Sequence, residues 1–247
     1  MAQVTEQEFF GGAIRGVVPQ GWIDASTLRE IPDHQELFLS PATLSNLIIE
    51  INQRVSQDNA LGIFATYSHQ HPTLAAGGGS ASNVTSETVD KAAALYHLHD
   101  LCDEGDAMQV VTPPTRVTLT RLSDSASPGS PVTAYKGVVT FSSPSRQRGG
   151  HFPGSSNGIP TAAADSAVAG ATVNGTSGQA MSKMTCHYLL MRLEAQDTDL
   201  LAFFNVPHEE FDRSGNPRGL SREEAIAEET IGGLANQLEI RDWGLFV

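Results

Sequence analysis

Cysteine is nearly absent from this 247-residue chain, and positive charge is scarce. The two cysteines, Cys102 and Cys186, lie far apart in segments of different type, and neither belongs to a Cys-x-x-Cys motif. A disulfide framework and a zinc site are therefore not expected, and both thiols are expected to be reduced and buried. Lysine and arginine number 15 against 28 aspartates and glutamates, for a formal charge of −13. A nucleic-acid surface needs a concentrated positive footprint, and an anionic membrane repels such a chain, so neither partner is expected. No apolar run approaches the roughly 18 residues of a membrane span. Residues 1–8 carry neither a basic n-region nor an apolar h-region, so a reducing compartment, nucleus and cytoplasm, is the expected location. The phosphate-cradling patterns Gly-x-x-x-x-Gly-Lys-Ser/Thr and Gly-x-Gly-x-x-Gly after a strand are missing too. No nucleotide or other cofactor is expected to bind this chain alone.

What is present is enough apolar residue, 40% of the chain, for one full-sized core. Short apolar runs stopped by proline, Ala13–Pro19 and Glu36–Pro41, predict strands. Residues 42–57 place Leu44, Leu47, Ile48, Ile51 and Val55 at helical spacing, with Thr43 as N-cap. A second helix is expected from Thr85 or Ser86 to about residue 102. Strands follow at Ala107–Val111 and Arg116–Leu122, separated by Pro113-Pro114. Val132–Phe141 pairs with them as an antiparallel hairpin through the turn at Ser127–Pro131. Cys186–Leu193 and Asp199–Pro207 are further strands, and the near-continuous hydrophobicity of the latter suggests a central position covered on both faces. After a loop at Glu209–Gly219, the pattern Ser221-Arg222-Glu223-Glu224 is a capping box that opens a helix to about Leu238. Near the C-terminus, Trp243 and Phe246 are expected to dock on the body.

Two stretches have few large apolar side chains. One is the glycine-rich loop at residues 68–84. The other, about 143–182, cannot bury enough surface to offset its chain entropy and is expected to be disordered. The expectation is a single domain spanning 1–247, of class α+β, with an antiparallel sheet of about six strands sandwiched between helices and one low-complexity insertion.

Little in the chain resembles catalytic machinery. Ser156 sits in Gly154-x-Ser156-x-Gly158, but a nucleophile elbow needs a strand before it and a helix after it, and this one falls in the low-complexity stretch. His69 and His71, and His97 and His99, are two apart. On a helix such positions do not share a face, so no metal site is expected. The stretch from Gly21 to Phe38 is more informative. It holds Asp24, Glu30, Asp33 and Glu36 against a single arginine, Arg29, and Pro32-Asp33 is a turn signal. Residues 1–50 carry seven acids and two arginines. Charge alone leaves three readings open: a solvated loop, a protein-binding face, or an acid–base pair needing a walled pocket.

The residues themselves narrow this. Phe10-Gly11-Gly12-Ala13, Ile23-Asp24, Leu28-Arg29, Ile31-Pro32-Asp33 and Gln35-Glu36-Leu37-Phe38 resemble the Ran guanine-nucleotide release factor (Mog-one) family. Ser45–Glu50 extends the match, and Thr198–Leu201 with Phe204-Asn205-Val206-Pro207 is a second, distant anchor in the right order. The resemblance implies an α/β/α sandwich around an antiparallel sheet, similar to the photosystem PsbP proteins. It also implies binding to the small GTPase Ran, release of its guanine nucleotide without bond chemistry, and a role in nuclear protein import. Family members look to use acids of the Pro-Asp-x-Gln-Glu region for Ran. Carried over by position, Asp33 and Glu36 come first, Asp24 stands beside them, and Glu30 and Glu50 follow by proximity. A monomer is expected. A binding adaptor that holds Ran or another protein without releasing nucleotide is the alternative.

Overall fold

Proline-stopped apolar runs and alternating β-branched residues dominate the first half of the chain, and in the computed structural model they become strands. The structure describes residues 3–71, 74, 84–124, 132–144 and 181–246. In chain order the strands are β1 (Val4–Phe9), β2 (Ile14–Pro19), β3 (Ile23–Asp24), β4 (Gln35–Leu39) and β5 (Asn46–Gln53). Then come β6 (Ala107–Val117), β7 (Thr133–Pro144), β8 (Met181–Leu193), β9 (Thr198–Pro207) and β10 (Glu239–Ile240). The α-helices among the described residues are α1 (Gln57–Tyr67), α2 (Ser86–Asp100), α3 (Thr120–Asp124), α4 (Glu209–Ser214) and α5 (Pro217–Gln237).

Seven strands form one antiparallel sheet in the order β3-β4-β5-β9-β8-β7-β6, and β1, β2 and β10 form a smaller one. The apolar strand β9 is central, as its composition predicted, and every residue from Thr198 to Val206 is buried. Strand alternation sends Leu200, Ala202, Phe204 and Val206 to one face with Leu189, Met191 and Leu193 of β8. There they meet Phe9, Val17 and Val18 of the small sheet and Ile231, Leu234 and Ala235 of α5. Leu201 and Phe203 go to the other face with Cys186, Tyr188 and Leu190, under Phe64 and Tyr67 of α1 and Ala92, Leu95 and Leu98 of α2. The antiparallel sheet between helices is the architecture expected, with seven strands in the main sheet rather than about six.

Several local expectations are overturned. Residues 46–53 are strand β5, not helix, hydrogen-bonded to β4 on one side and β9 on the other. An unbroken apolar run at 47–49 satisfies both helical and strand periodicity, and the β-branched isoleucines with pairing on both edges decide for the strand. Thr43 caps a turn instead, accepting from the Ser45 N–H, and the helix starts later, with Ser56 accepting from the Asn59 N–H at 3.3 Å. Pro113-Pro114 does not divide two strands. It falls within β6, whose pairing to β7 shifts register between Val110 and Thr115. Prolines suit this strand because it is the sheet's edge. Residues 120–124 turn helical. Ser221 lies one turn inside α5, which begins at Pro217 with Asn216 as its cap, so the capping box is not formed. The insertion at about 143–182 lies outside the described residues except at its ends. There Ser143 pairs with Ser182 and Pro144 with Met181 as the last rungs of β7 and β8. The Ser127–Pro131 turn falls outside the described residues as well.

One polar cluster sits inside this core. Arg192 on β8 is 1% exposed and Asp199 on β9 is 0% exposed. Nε of Arg192 lies 2.8 Å from Asp199 Oδ1, close enough for an ion pair though off the hydrogen-bond angle, and Nη1 lies 3.4 Å from Asp90 Oδ1. Nη2 donates to the Val55 carbonyl at 2.9 Å. Asp199 Oδ2 accepts from the Val55 N–H at 3.0 Å and meets His97 Nε2 at 2.8 Å. Thr133 and Tyr135 donate to Asp90 Oδ2. The cluster ties α2 and the start of α1 to the middle of the sheet.

Candidate functional site

At the β3–β4 edge the chain doubles back on itself, and this gathers the acids. Asp24 ends β3 and its Oδ1 accepts from the Ser26 N–H at 2.8 Å, capping a 3-10 turn at Ala25–Thr27. The connection then runs exposed to Pro32, where the Gln35 N–H donates to the Pro32 carbonyl at 2.9 Å and closes the turn that Pro32-Asp33 signalled. Glu36 lies on β4 and reaches across to the small sheet, where its Oε1 accepts from the Phe10 N–H at 2.5 Å. That amide is presented by three successive residues with positive φ: Phe10 at 50°, Gly11 at 65° and Gly12 at 92°. The two glycines adopt this without strain, whereas Phe10 does not, and the Glu36 carboxylate is the contact that holds it there.

The result is an open groove of about 540 Å³ lined by Asp24, Arg29, Glu30, Asp33 and Glu36, with Glu8, Phe10 and Leu245 closing one side. Four of the five acids expected at a site are thus brought together. Glu50 is not among the lining residues. It sits on β5 opposite Gln35, whose amide donates to Glu50 Oε2 at 3.1 Å. Glu30 and Asp33 are exposed and have no hydrogen-bond or ion-pair partner among the described residues. Asp24 and Glu36 are half-buried and already engaged. Glu36 is therefore not simply a solvated acid: it is also a brace between the two sheets. Burial pushes its carboxyl above the usual 4.5, the Phe10 N–H opposes that rise, and nearby Asp24 adds to it.

Sequence reasoning missed Glu8, which enters the groove from β1 and pairs with Arg241 Nη1 at 2.8 Å. Its alternating strand, Val-Thr-Glu-Gln-Glu-Phe, was the available signal. Leu28 was counted for the resemblance but not for its chemistry: it is 66% exposed beside groove-lining Arg29.

The remaining candidates separate. His97 is buried against Asp199, whereas His99 Nδ1 meets the Tyr67 hydroxyl at 2.7 Å, so the two rings point apart. Among the described residues no group of three or more His, Cys, Asp or Glu side chains is placed to hold a metal. Cys186 is fully buried and Cys102 half-buried, both as free thiols. Ser156 lies outside the described residues. Thr185, His208 and Glu224 form a superficially triad-like group, with Thr185 Oγ1 2.7 Å from His208 Nε2. Glu224 approaches that same nitrogen at 3.9 Å, rather than Nδ1, so it cannot orient the ring as a relay acid does.

Comparison with known proteins agrees with this architecture. The model of a family described as Ran-interacting Mog1 protein matches residues 7–207. The nuclear import protein MOG1 of Saccharomyces cerevisiae is 40% identical over 65 residues, 22% of this chain and 30% of the yeast protein. The Ran guanine nucleotide release factor of Homo sapiens is 50% identical over 42 residues, 17% of this chain and 23% of the human protein. These stretches span less than a third of each relative. The crystal structure of the Saccharomyces cerevisiae Ran-binding protein Mog1p aligns over 100% of both chains with a TM-score of 0.54 and 20% identity, a likeness of fold. With the family model matched from β1 to the end of β9, the chain belongs to the family of Ran-interacting Mog1 proteins.

Proposed function

We propose that this chain binds the small GTPase Ran through the acidic groove at the β3–β4 edge and promotes release of its guanine nucleotide, in support of nuclear protein import. It acts by binding, without bond chemistry, and works in the nucleus and cytoplasm. The observation that carries this is the convergence of Asp24, Glu30, Asp33 and Glu36 on one groove, two of them exposed and unpaired among the described residues. Unpaired carboxylates on a pinned turn cost little to present, and they draw in a basic surface before any contact is made. Leu28, exposed beside them, supplies an apolar anchor.

Release requires that the groove bind nucleotide-poor Ran more tightly than loaded Ran. A tenfold loss of nucleotide affinity needs about 1.4 kcal/mol of such coupling, which one desolvated charge pair supplies. Asp33 and Glu30 are the residues to test, because Glu36 also holds Phe10 and its loss mixes binding with folding. The double variant Glu30→Arg/Asp33→Arg is expected to keep its thermal unfolding midpoint and to lose at least about tenfold in Ran affinity. A folded double variant with wild-type affinity would overturn the assignment of the groove. Fluorescent-nucleotide release measured beside binding distinguishes a release factor from an adaptor: binding with no faster release means an adaptor.

A further inference from the structure

At the opposite end of the seven-stranded sheet, α5 stands off from β6 and β7 and leaves a cleft of about 660 Å³. Its volume is within the range of small-molecule sites. The sheet side presents Val111 and Thr115 from β6, Lys136, Val138 and Thr140 from β7, and Thr185 and His187 from β8. The helix side presents Glu224, Ala225, Glu228 and Ile231. None of these residues lines the acidic groove.

Three polar side chains on the cleft walls are left for a ligand to meet. His187 is 8% exposed, and its imidazole has no hydrogen-bond partner among the described residues. Its ring nitrogens are not sealed in the core: the imidazole lines the cleft and opens onto it. Lys136, half-buried on the sheet, has no ion-pair or hydrogen-bond partner among the described residues. Neither has Glu228, on the helix wall opposite. Glu224, by contrast, is engaged with Thr185 and His208. The cleft therefore has a cation without an ion-pair partner on one wall, an anion without one on the other, an imidazole opening between them, and Val111, Val138 and Ile231 as apolar surface. Burial depresses protonation of His187, while Glu224 and Glu228 favour it and Lys136 opposes it. It therefore serves as a neutral donor or acceptor and not as a second fixed charge.

A ligand with one charge would satisfy one wall and be repelled by the other. We infer that this cleft binds a small amphipathic zwitterion of the amino-acid type, its carboxylate at Lys136, its ammonium at Glu228 and its apolar body on Val111, Val138 and Ile231. His187 meets the ligand's remaining polar atom. This site is independent of the Ran reading and stands or falls separately.

The test uses the full chain and three probes that share one ring: phenylalanine, N-acetylphenylalanine, which keeps only the carboxylate, and 2-phenylethylamine, which keeps only the ammonium. The His187 ring resonances report binding by NMR titration. Phenylalanine is expected to bind saturably with a Kd of about 1 mM or tighter, and each single-charge probe at least about fivefold more weakly. Lys136→Met and Glu228→Gln, both at the cleft surface, are each expected to weaken phenylalanine by about fivefold while leaving the unfolding midpoint unchanged. Equal binding of a single-charge probe would overturn the zwitterion, and wild-type affinity in both variants would overturn the walls. Absence of saturable binding by all three probes would overturn the site.

Discussion

Asp199 and Asp33 stand at two extremes of carboxylate environment in one fold. Asp199 is fully buried on the central strand, between Arg192, His97 and the Val55 N–H. Asp33 is exposed on a turn, with no partner among the described residues. Removing an ion from water costs several kcal/mol and is offset only when its partners are fixed around it, so the interior acid is satisfied by the chain itself. The surface acid pays no such cost, and its charge is left without a partner among the described residues. Glu36 lies between the two cases, half-buried, holding Phe10 with one oxygen. The lesson is that acidity alone does not mark a binding face: what marks it is charge the fold leaves unused.

The sharpest way to break this contrast is at the interior acid. Arg192→Met leaves Asp199 and Asp90 buried without their cation, and it should cost about 3–5 kcal/mol in urea unfolding. A loss under about 1 kcal/mol would mean that the cluster is not structural. Next in size is Gly137→Ala, where an added Cβ would meet the Thr112 carbonyl oxygen at 2.6 Å and crowd the Tyr188 hydroxyl. Backbone cannot give way as a flexible side chain does, so about 1–3 kcal/mol of destabilisation is expected, by thermal or urea unfolding. At the surface the effect should change kind: Glu30→Arg/Asp33→Arg moves stability by no more than about 0.5 kcal/mol while it removes Ran affinity. That affinity should also fall as salt is raised, because exposed charges are screened.

Glu36 gives the smallest and most discriminating effect. Its folded carboxyl titrates above its ordinary 4.5, so as pH rises from that value the unfolded chain loses this proton before the native state does. The native state then holds more protons than the unfolded one, and stability falls with rising pH across that window, to the cost of the buried ion above it. Glu36→Gln keeps an acceptor for Phe10 and carries no titrating proton. Its unfolding free energy, measured from pH 4 to 7, should therefore lack that decline. An unchanged pH profile in this variant would show that Glu36 is not the group responsible.

Much of the fold was legible because its strongest signals are local. Leu200–Phe204 of β9 is an unbroken apolar run, and a position covered on both faces suits it. Thr85 before α2 was readable as a cap, and its hydroxyl accepts from the Thr88 N–H. The first helix was misplaced because Leu47-Ile48-Ile49 fits two periods, and its true identity is set by β4 and β9, which are distant in sequence. The groove was half legible. Asp24, Glu30, Asp33 and Glu36 share one short stretch, so their meeting needed only a turn. Glu8 and Leu245 arrive from the chain's two ends through the small sheet, which no local pattern announces. Nor could charge alone tell that Glu36 is spoken for, since its bond to Phe10 spans 26 residues.

That bond divides the labour of a single side chain. With one lone pair of Oε1 taken by the Phe10 amide, the other lone pair and both of Oε2's are left for a visitor. A lysine or arginine from a partner brings hydrogen atoms and no replacement acceptor, so it cannot relieve Oε1 without stranding the amide. Such a guest must use the lone pairs that the amide leaves over and keep the Phe10 bond in place. The same carboxylate can then greet a partner and still fasten the left-handed corner beneath it.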